Sequence, residues 1–262
     1  MSRGGQARPL LRQAPRKQPD ESLVSKAALN KSTGDDAATL ARNRRRSGEA
    51  REPRFSRQNP EQRRREIVAA AIRCLAKGGV GAFTVSEICA EAGISHGLIN
   101  HYFPSKEDLL VATYDTVAEV LVQATRDAVS RPQRLPEDKL TAIVESSFAG
   151  AIFNEANLAV WLALWGQVRT HEGLRRKHNE LYEGYRAAIA RIIGQIAAKR
   201  GLAVEGAPLA LALTALIDGL WLEYSLNPTV FSVENARRSC YLLLEDRLGP
   251  LSGDPGKNGG TR

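Results

Sequence analysis

The sequence is short of the residues from which disulfide frameworks, metal sites and membrane spans are built. Its 262 residues include three cysteines, four histidines and one methionine. Cys74, Cys89 and Cys240 form no CxxC pair, and their odd number closes no set of bridges. That excludes a disulfide scaffold or zinc knuckle and points to a reducing compartment. His171 and His178 stand outside any HExxH pattern, so neither a metal nor another cofactor is expected. The longest run without Asp, Glu, Lys or Arg is the 14 residues from Ala92 to Ser105, with 13 from Ala156 to Val168, against about 20 for a membrane-spanning helix. No membrane partner is therefore expected. The Met1 end has no apolar segment of the secretory kind, which makes the expected location cytoplasmic. There is no P-loop, no GxGxxG and no alternating strand pattern, so the enzyme classes built on them have no support.

What is present divides into unlike parts. The net charge of +8 suggests nucleic acid until it is located along the chain. Residues 1 to 60 hold 14 Lys and Arg against 6 Asp and Glu, and the remainder carries 23 of each. Residues 1–59 have no helical or strand period and too little apolar surface to offset the entropy of ordering, so a basic disordered tail is expected there. Its run Arg42, Arg44, Arg45, Arg46 has the charge to touch DNA phosphates without choosing a sequence; a merely solvated tail fits it equally well.

From Pro60 the apolar period becomes helical. Ile67, Ala71, Cys74, Leu75 and Gly78 make one stripe, and Gly78-Gly79 supply a left-handed cap. Thr84-Val85-Ser86-Glu87 is a capping box that opens a second helix with Val85, Ile88, Cys89 and Ala92 on one face, and Gly93 turns the chain. Ser95 caps a third short helix that Pro104 stops. Ser105 to Asp108 is another capping box, opening a longer helix through Leu109, Leu110, Thr113 and Val117. Two short helices joined by a glycine turn can lay the second in a DNA major groove. Ser95, His96, Asn100 and His101 on its solvent side can hydrogen-bond base edges, and Gly97 permits close backbone approach. Tyr102 and Lys106 are placed to hold phosphates, with Arg63, Arg64 and the cap residue Thr84 on the same small domain. A competing motif, Gly93-Ile94-Ser95-His96-Gly97, fits the G-x-S-x-G nucleophile elbow and makes a hydrolase using Ser95 the remote alternative. The elbow requires a preceding strand, where this sequence places the capped helix SEICAEA.

Residues 63 to 110, and above all the strings TVSEIC, AGIS and HYFPSKEDLL, resemble the DNA-binding domain of TetR-family regulators. The strings RRREI, GLINHYF, VWLALW and ALIDGLWL are similar to the BetI-like subgroup of repressors, which respond to choline and control glycine betaine synthesis. The resemblance covers roughly residues 61 to 248. It implies an all-α homodimeric transcriptional repressor and not an enzyme. Three N-terminal helices (60–108) would read a palindromic operator in double-stranded DNA. A helical domain of about six helices (109–248) would bind a small-molecule effector and dimerise, and a short tail (249–262) would follow. Two reading heads would lie about one DNA turn, roughly 34 Å, apart. A repressor of an efflux or catabolic operon with an apolar effector is the alternative within the family.

Helix breaks after Asp108 are expected at 131–136, 170–173, 201–208 and 227–228, where Pro, Gly and polar residues gather. Two C-terminal apolar stripes include Leu213, Leu216, Ile217, Leu220, Cys240 and Leu244. They suit a four-helix dimer interface or an intrachain core, which periodicity does not separate; the resemblance places the dimer there. For the effector, Trp161 and Trp165 share a helix face, Tyr182 and Tyr185 lie on the next helix, and Trp221 with Tyr224 on another. Such faces attract a quaternary ammonium through cation–π interaction, with Asp218 or Glu223 as counter-charge; core packing is the plainer use of the same rings.

Overall fold

The structure is a computed structural model that describes residues 59–130 and 134–251. The expected tail 1–59 lies outside these residues except for Asn59, as do residues 252–262 of the C-terminal tail. Among the described residues the chain is entirely helical: α1 (Pro60–Gly78), a 3-10 turn (Gly79–Ala82), α2 (Val85–Ala92), α3 (His96–Tyr102), α4 (Lys106–Val129), α5 (Pro136–Ser147), α6 (Glu155–Val168), α7 (Glu172–Arg200), α8 (Gly206–Leu226) and α9 (Val233–Leu248). The all-α expectation, with three helices followed by six, is met.

Local chemistry sets the boundaries of the first domain. Asn59 accepts from the Glu61 N–H and Pro60 occupies the first turn of α1, where its missing N–H costs nothing. Thr84 accepts from the Glu87 N–H, half of the expected capping box, and Ser95 accepts from the Leu98 N–H. Ser105 and Asp108 complete a reciprocal box at the start of α4. Gly93 turns between α2 and α3 at φ +65°, a left-handed conformation that other residues adopt at a cost. Gly79 ends α1 at φ 59° but ψ −152°, a positive-φ conformation open to glycine that lies outside the left-handed helical region.

Ile67, Ala71, Cys74 and Leu75 on α1, Ile88 and Cys89 on α2, Ile99 on α3 and the loop residues Phe83 and Phe103 form the core of this domain. Glu91 at the end of α2 takes ion pairs from Arg73 at 2.6 Å and Lys77 at 2.7 Å on α1. Hydrogen bonds from Lys77 and then Arg73 hold its carboxyl below the usual range.

The second domain packs α7 most extensively against α8 and α4, with α5 between α4 and α7, and α9 against α8. The two domains share surfaces: α6 rests on α1 and on the 3-10 turn. The Gly173 N–H in the first turn of α7 donates to Glu107 Oε1 in the first turn of α4 at 3.1 Å. A further break, at Phe148–Asn154 between α5 and α6, lies outside those the sequence predicts. There Asn154 caps α6 and buried Asn157 donates to the carbonyls of Ala151 and Ile152, closing a turn that contains no proline. Residues 249–251, assigned to the tail, pack instead: Leu251 is buried, and Arg200 donates to the carbonyls of Leu248 and Pro250.

Candidate DNA-reading face and effector site

Helix α3 turns Ile99 inward and leaves Ser95, His96, Gly97, Asn100 and His101 exposed together, as a face offered to base edges must be. Exposed Lys106 lies at the N-terminus of α4, with its ammonium 5.8 Å from the Phe83 ring. Exposed Thr84 caps α2. Arg63 is half-buried and paired with Glu66 at 2.8 Å. Arg64 is the correction. Its guanidinium lies 4.2 Å over the Phe103 ring and donates to the Tyr102 carbonyl at 3.0 Å, tying α1 to the end of α3. It steadies the reading helix from behind rather than standing free for phosphate. Tyr102 is half-buried, its ring edge-on to His101 at 5.2 Å. Ser95 Oγ is spent as a helix cap, follows a helix rather than a strand, and forms no hydrogen bond with a histidine, so the elbow reading fails.

Behind this domain, four helices bring aromatic side chains together. Trp161 and Trp165 of α6 lie 5.8 Å apart, and Trp221 of α8 lies 6.2 and 6.4 Å from them. Tyr114 of α4 meets Trp161 edge-on at 5.7 Å, and its hydroxyl lies 3.0 Å from His178 Nδ1 on α7. One turn along α7, the Tyr182 ring sits 4.2 Å from the His178 ring, and its hydroxyl donates to Asp218 Oδ1 at 3.2 Å. Of the four expected effector residues, Trp161, Trp165 and Tyr182 therefore converge. Tyr185 makes no ring contact with them; burial pushes its phenol up to about 12, opposed by Ser147 and reinforced by the charge of Asp218, which places it at the margin of the cluster. His178, four residues before Tyr182 on the same helix face, and Tyr114 also belong to the cluster, the latter with no periodicity linking it. Tyr224 pairs with Phe153 and Phe231 in a separate aromatic patch, and Glu223 is exposed.

Burial sets the electrostatics of this cluster. It raises the Asp218 carboxyl to about 7, opposed by the Tyr182 hydrogen bond and the charge of Arg186. It raises the Tyr114 and Tyr182 phenols far above their ordinary values and lowers His178. Trp165 Nε1 is buried without a well-formed hydrogen bond, although it lies near enough to Tyr182 to favour that phenol's anion. Three indole faces, two phenols and one carboxylate of depressed acidity suit a compact organic cation with little hydrogen-bonding demand. No group of three metal-binding side chains occurs among the described residues.

The expected dimer residues divide. Leu213, Ile217, Cys240 and Leu244 are buried in the protomer's own core and have little area left for a partner, which corrects their assignment. Leu216 and Leu220 are half-buried. The exposed apolar face lies elsewhere on the same helices, at Leu211 (55% exposed), Leu222 (40%) and Leu226 (70%) of α8 and Leu242 (59%) of α9. With one apolar face inward and another outward, α8 reaches a mean hydropathy of 1.4 and is by composition long enough to cross a membrane. Its inward face, Leu209, Leu213, Ile217 and Trp221, belongs to the core.

The comparisons with known proteins agree with this architecture. Residues 67–113 match the family of bacterial regulatory proteins named tetR, and residues 136–249 match the C-terminal domain of BetI-type transcriptional repressors. The HTH-type transcriptional regulator BetI of Vibrio vulnificus (strain YJ016) is 31% identical over 193 residues, 72% of this chain and 94% of the relative. BetI of Cronobacter sakazakii (strain ATCC BAA-894) is 35% identical over 194 residues, 71% and 91% respectively. A crystal structure of a transcriptional regulator from Pseudomonas aeruginosa PAO1 aligns with a TM-score of 0.67 at 36% identity, covering 74% of this chain and 93% of that one. Another, from Saccharomonospora viridis in complex with choline, aligns with a TM-score of 0.63 at 24% identity, covering 71% and 96%.

Proposed function

Because the chain belongs to the TetR family of bacterial regulatory proteins and carries a BetI-type C-terminal domain, we propose a choline-released repressor of glycine betaine synthesis. As a member of that family it is a DNA-binding transcriptional repressor, not an enzyme, and it answers to a small-molecule effector. The observation that carries the choline reading is the half-buried carboxylate of Asp218, held by the Tyr182 hydroxyl, which itself belongs to the cluster of Trp161, Trp165, Trp221 and Tyr114 through His178. A trimethylammonium group is attracted by aromatic faces and, having no N–H, leaves no donor unsatisfied among them. The carboxylate balances its charge. An apolar effector of the efflux or catabolic kind gains nothing from Asp218. The choline-bound regulator of Saccharomonospora viridis supports the reading by analogy of fold.

The repressor would act in the cytoplasm as a twofold dimer joined through the outer faces of α8 and α9. Each α3 would enter a major groove of a palindromic operator with Asn100 and His101 at base edges. Ligand-bearing helices reach the head directly, α6 through its contact with α1 and α7 through the Glu107–Gly173 hydrogen bond. A ligand that favours a wider spacing of the rings shifts the heads only by its differential affinity for the two arrangements. Calorimetry with choline and betaine aldehyde, followed by a gel shift on the operator, tests this. Heat on choline addition and release of bound DNA are expected; absence of both for either compound overturns the choline reading.

A further inference from the structure

Four rings of the cluster, Tyr114, Trp161, Tyr182 and Trp221, are buried, while Trp165 and His178 are half-buried. A ligand reaches it where one of these rings also forms the wall of an open cavity. Tyr114 does so. With Ala118 and Val122 of α4 and Leu181 of α7, it lines a crevice of about 480 Å³ on the surface between these helices. A larger cleft of about 1840 Å³ runs between α1, α4 and the α5–α6 connection, and none of the cluster's aromatic side chains lines it.

We infer that the α4–α7 crevice is the mouth through which the cationic effector enters, gated by Lys177 outside and by the Tyr114–His178 hydrogen bond within. The inference rests on the reading that the cluster holds the cation. Asp115, Glu119 and Glu180 stand around the crevice against the single cation Lys177, a local surplus of negative charge that raises the concentration of cations at the opening. Lys177 Nζ lies 3.5 Å from Asp115 Oδ2 across the gap and 4.0 Å from Glu180 Oε2 on its own helix. These groups are half-exposed, so the bridge is weak and opens readily. Behind it, the Tyr114 hydroxyl and His178 Nδ1 join the same two helices at 3.0 Å. His178 is the next residue after Lys177, and its ring lies against Tyr182, the hydrogen-bond partner of Asp218. Movement of α7 away from α4 breaks both contacts and leads from the rim to the Asp218 carboxylate.

All three tryptophans of the chain lie in the cluster, so intrinsic fluorescence reports ligand arrival there alone. Stopped-flow fluorescence would follow choline and its uncharged isostere 3,3-dimethylbutan-1-ol binding to the full chain. Lys177→Ala should raise association and dissociation rates together severalfold and leave Kd within about twofold, as gate removal does and loss of a binding contact does not, and Tyr114→Phe should raise the association rate as well. Glu119→Lys with Glu180→Lys should slow choline association about tenfold at low salt and leave the isostere unaffected, with the difference lost in high salt. Unchanged association rates in all variants, with choline still quenching the tryptophans, would overturn the mouth and leave the effector site standing. No fluorescence response in the wild-type protein would remove the choline reading itself, and the mouth with it.

Discussion

At the scale of single residues, burial changes the chemistry of ordinary side chains in the proposed effector site. Asp218 is raised to about 7 because the folded chain withdraws it from water, opposed by the Tyr182 hydrogen bond and the charge of Arg186. The shift runs opposite to that of a salt-bridged carboxylate. The folded protein retains a proton that the unfolded chain releases near the ordinary value of 3.8, so stability falls as pH rises from about 4 toward 7. A cationic ligand works against that trend because it favours the ionised form. Choline affinity should therefore increase roughly tenfold between pH 6 and 8, following the ionised fraction of a group near 7. In Asp218→Asn the increase should vanish and affinity should be low throughout; calorimetry at three pH values decides it. On the reading face the same discipline separates base contacts from phosphate contacts. Asn100→Ala or His101→Ala should relax operator preference by about 1–3 kcal/mol per half-site. Lys106→Ala should weaken binding to all sequences and reduce the salt slope by about one. Arg64→Ala should lower affinity without changing that slope, since its guanidinium is occupied by Phe103 and the Tyr102 carbonyl. These residues were legible to different degrees. Trp161 and Trp165 announce themselves by spacing on one helix, and Asp218 by standing among apolar residues. Tyr114 and His178 are 64 positions apart and meet only in the folded chain.

At the scale of elements, the caps made the first domain readable and the interior of the second domain harder to parse. Each early helix begins at a side chain that accepts from its own backbone, Asn59, Thr84, Ser95 or Ser105, a local interaction that sequence displays directly. The break at Phe148–Asn154 is made by Asn157 reaching back to Ala151 and Ile152 and Asn154 reaching back to Gly150; a single glycine without proline is a weak mark in the sequence. The stripe on α8 misled for a physical reason. A helix with two apolar faces offers no polar side to orient it, so periodicity does not say which face is the core. How closely α8 approaches α7 is clear at Gly206, where an added Cβ would lie 2.5 Å from the Ala190 carbonyl oxygen. Gly206→Ala must push the two helices apart and should cost about 1–3 kcal/mol. The exposed Gly184 on α7 has no neighbour within 4 Å of an added Cβ, and Gly184→Ala should gain up to about 1 kcal/mol from helix propensity. Thermal denaturation of the pair checks both signs, and a loss at both positions would contradict the packing described.

At the scale of the whole molecule, reading a palindrome requires a fixed distance between two heads, and a single chain carries one head. The fixed distance must come from an interface, and the outer face of α8 has the character of one. Leu211, Ala215, Leu222 and Leu226 recur on one side of the helix, all exposed, with Leu242 of α9 also exposed. An apolar stripe of this length left in water is unfavourable, and a second copy of the same stripe is its self-complementary partner under twofold symmetry. The charges nearest in sequence, Glu223 and Asp246, are also exposed and fit the polar rim that such interfaces carry. Leu211→Glu combined with Leu222→Glu places like charges against one another at the centre of the contact while leaving the inward residues Leu213, Ile217 and Trp221 untouched. The double variant should keep its helical content and run as a monomer in sedimentation at micromolar concentration. It should bind a single half-site as well as the wild-type head does and lose affinity for the full palindrome, because the second head is no longer tethered and its effective concentration falls. A variant that remains dimeric and protects the full palindrome in footprinting would move the interface to another face. The core positions Cys240 and Leu244 would stay excluded, since neither has surface to give.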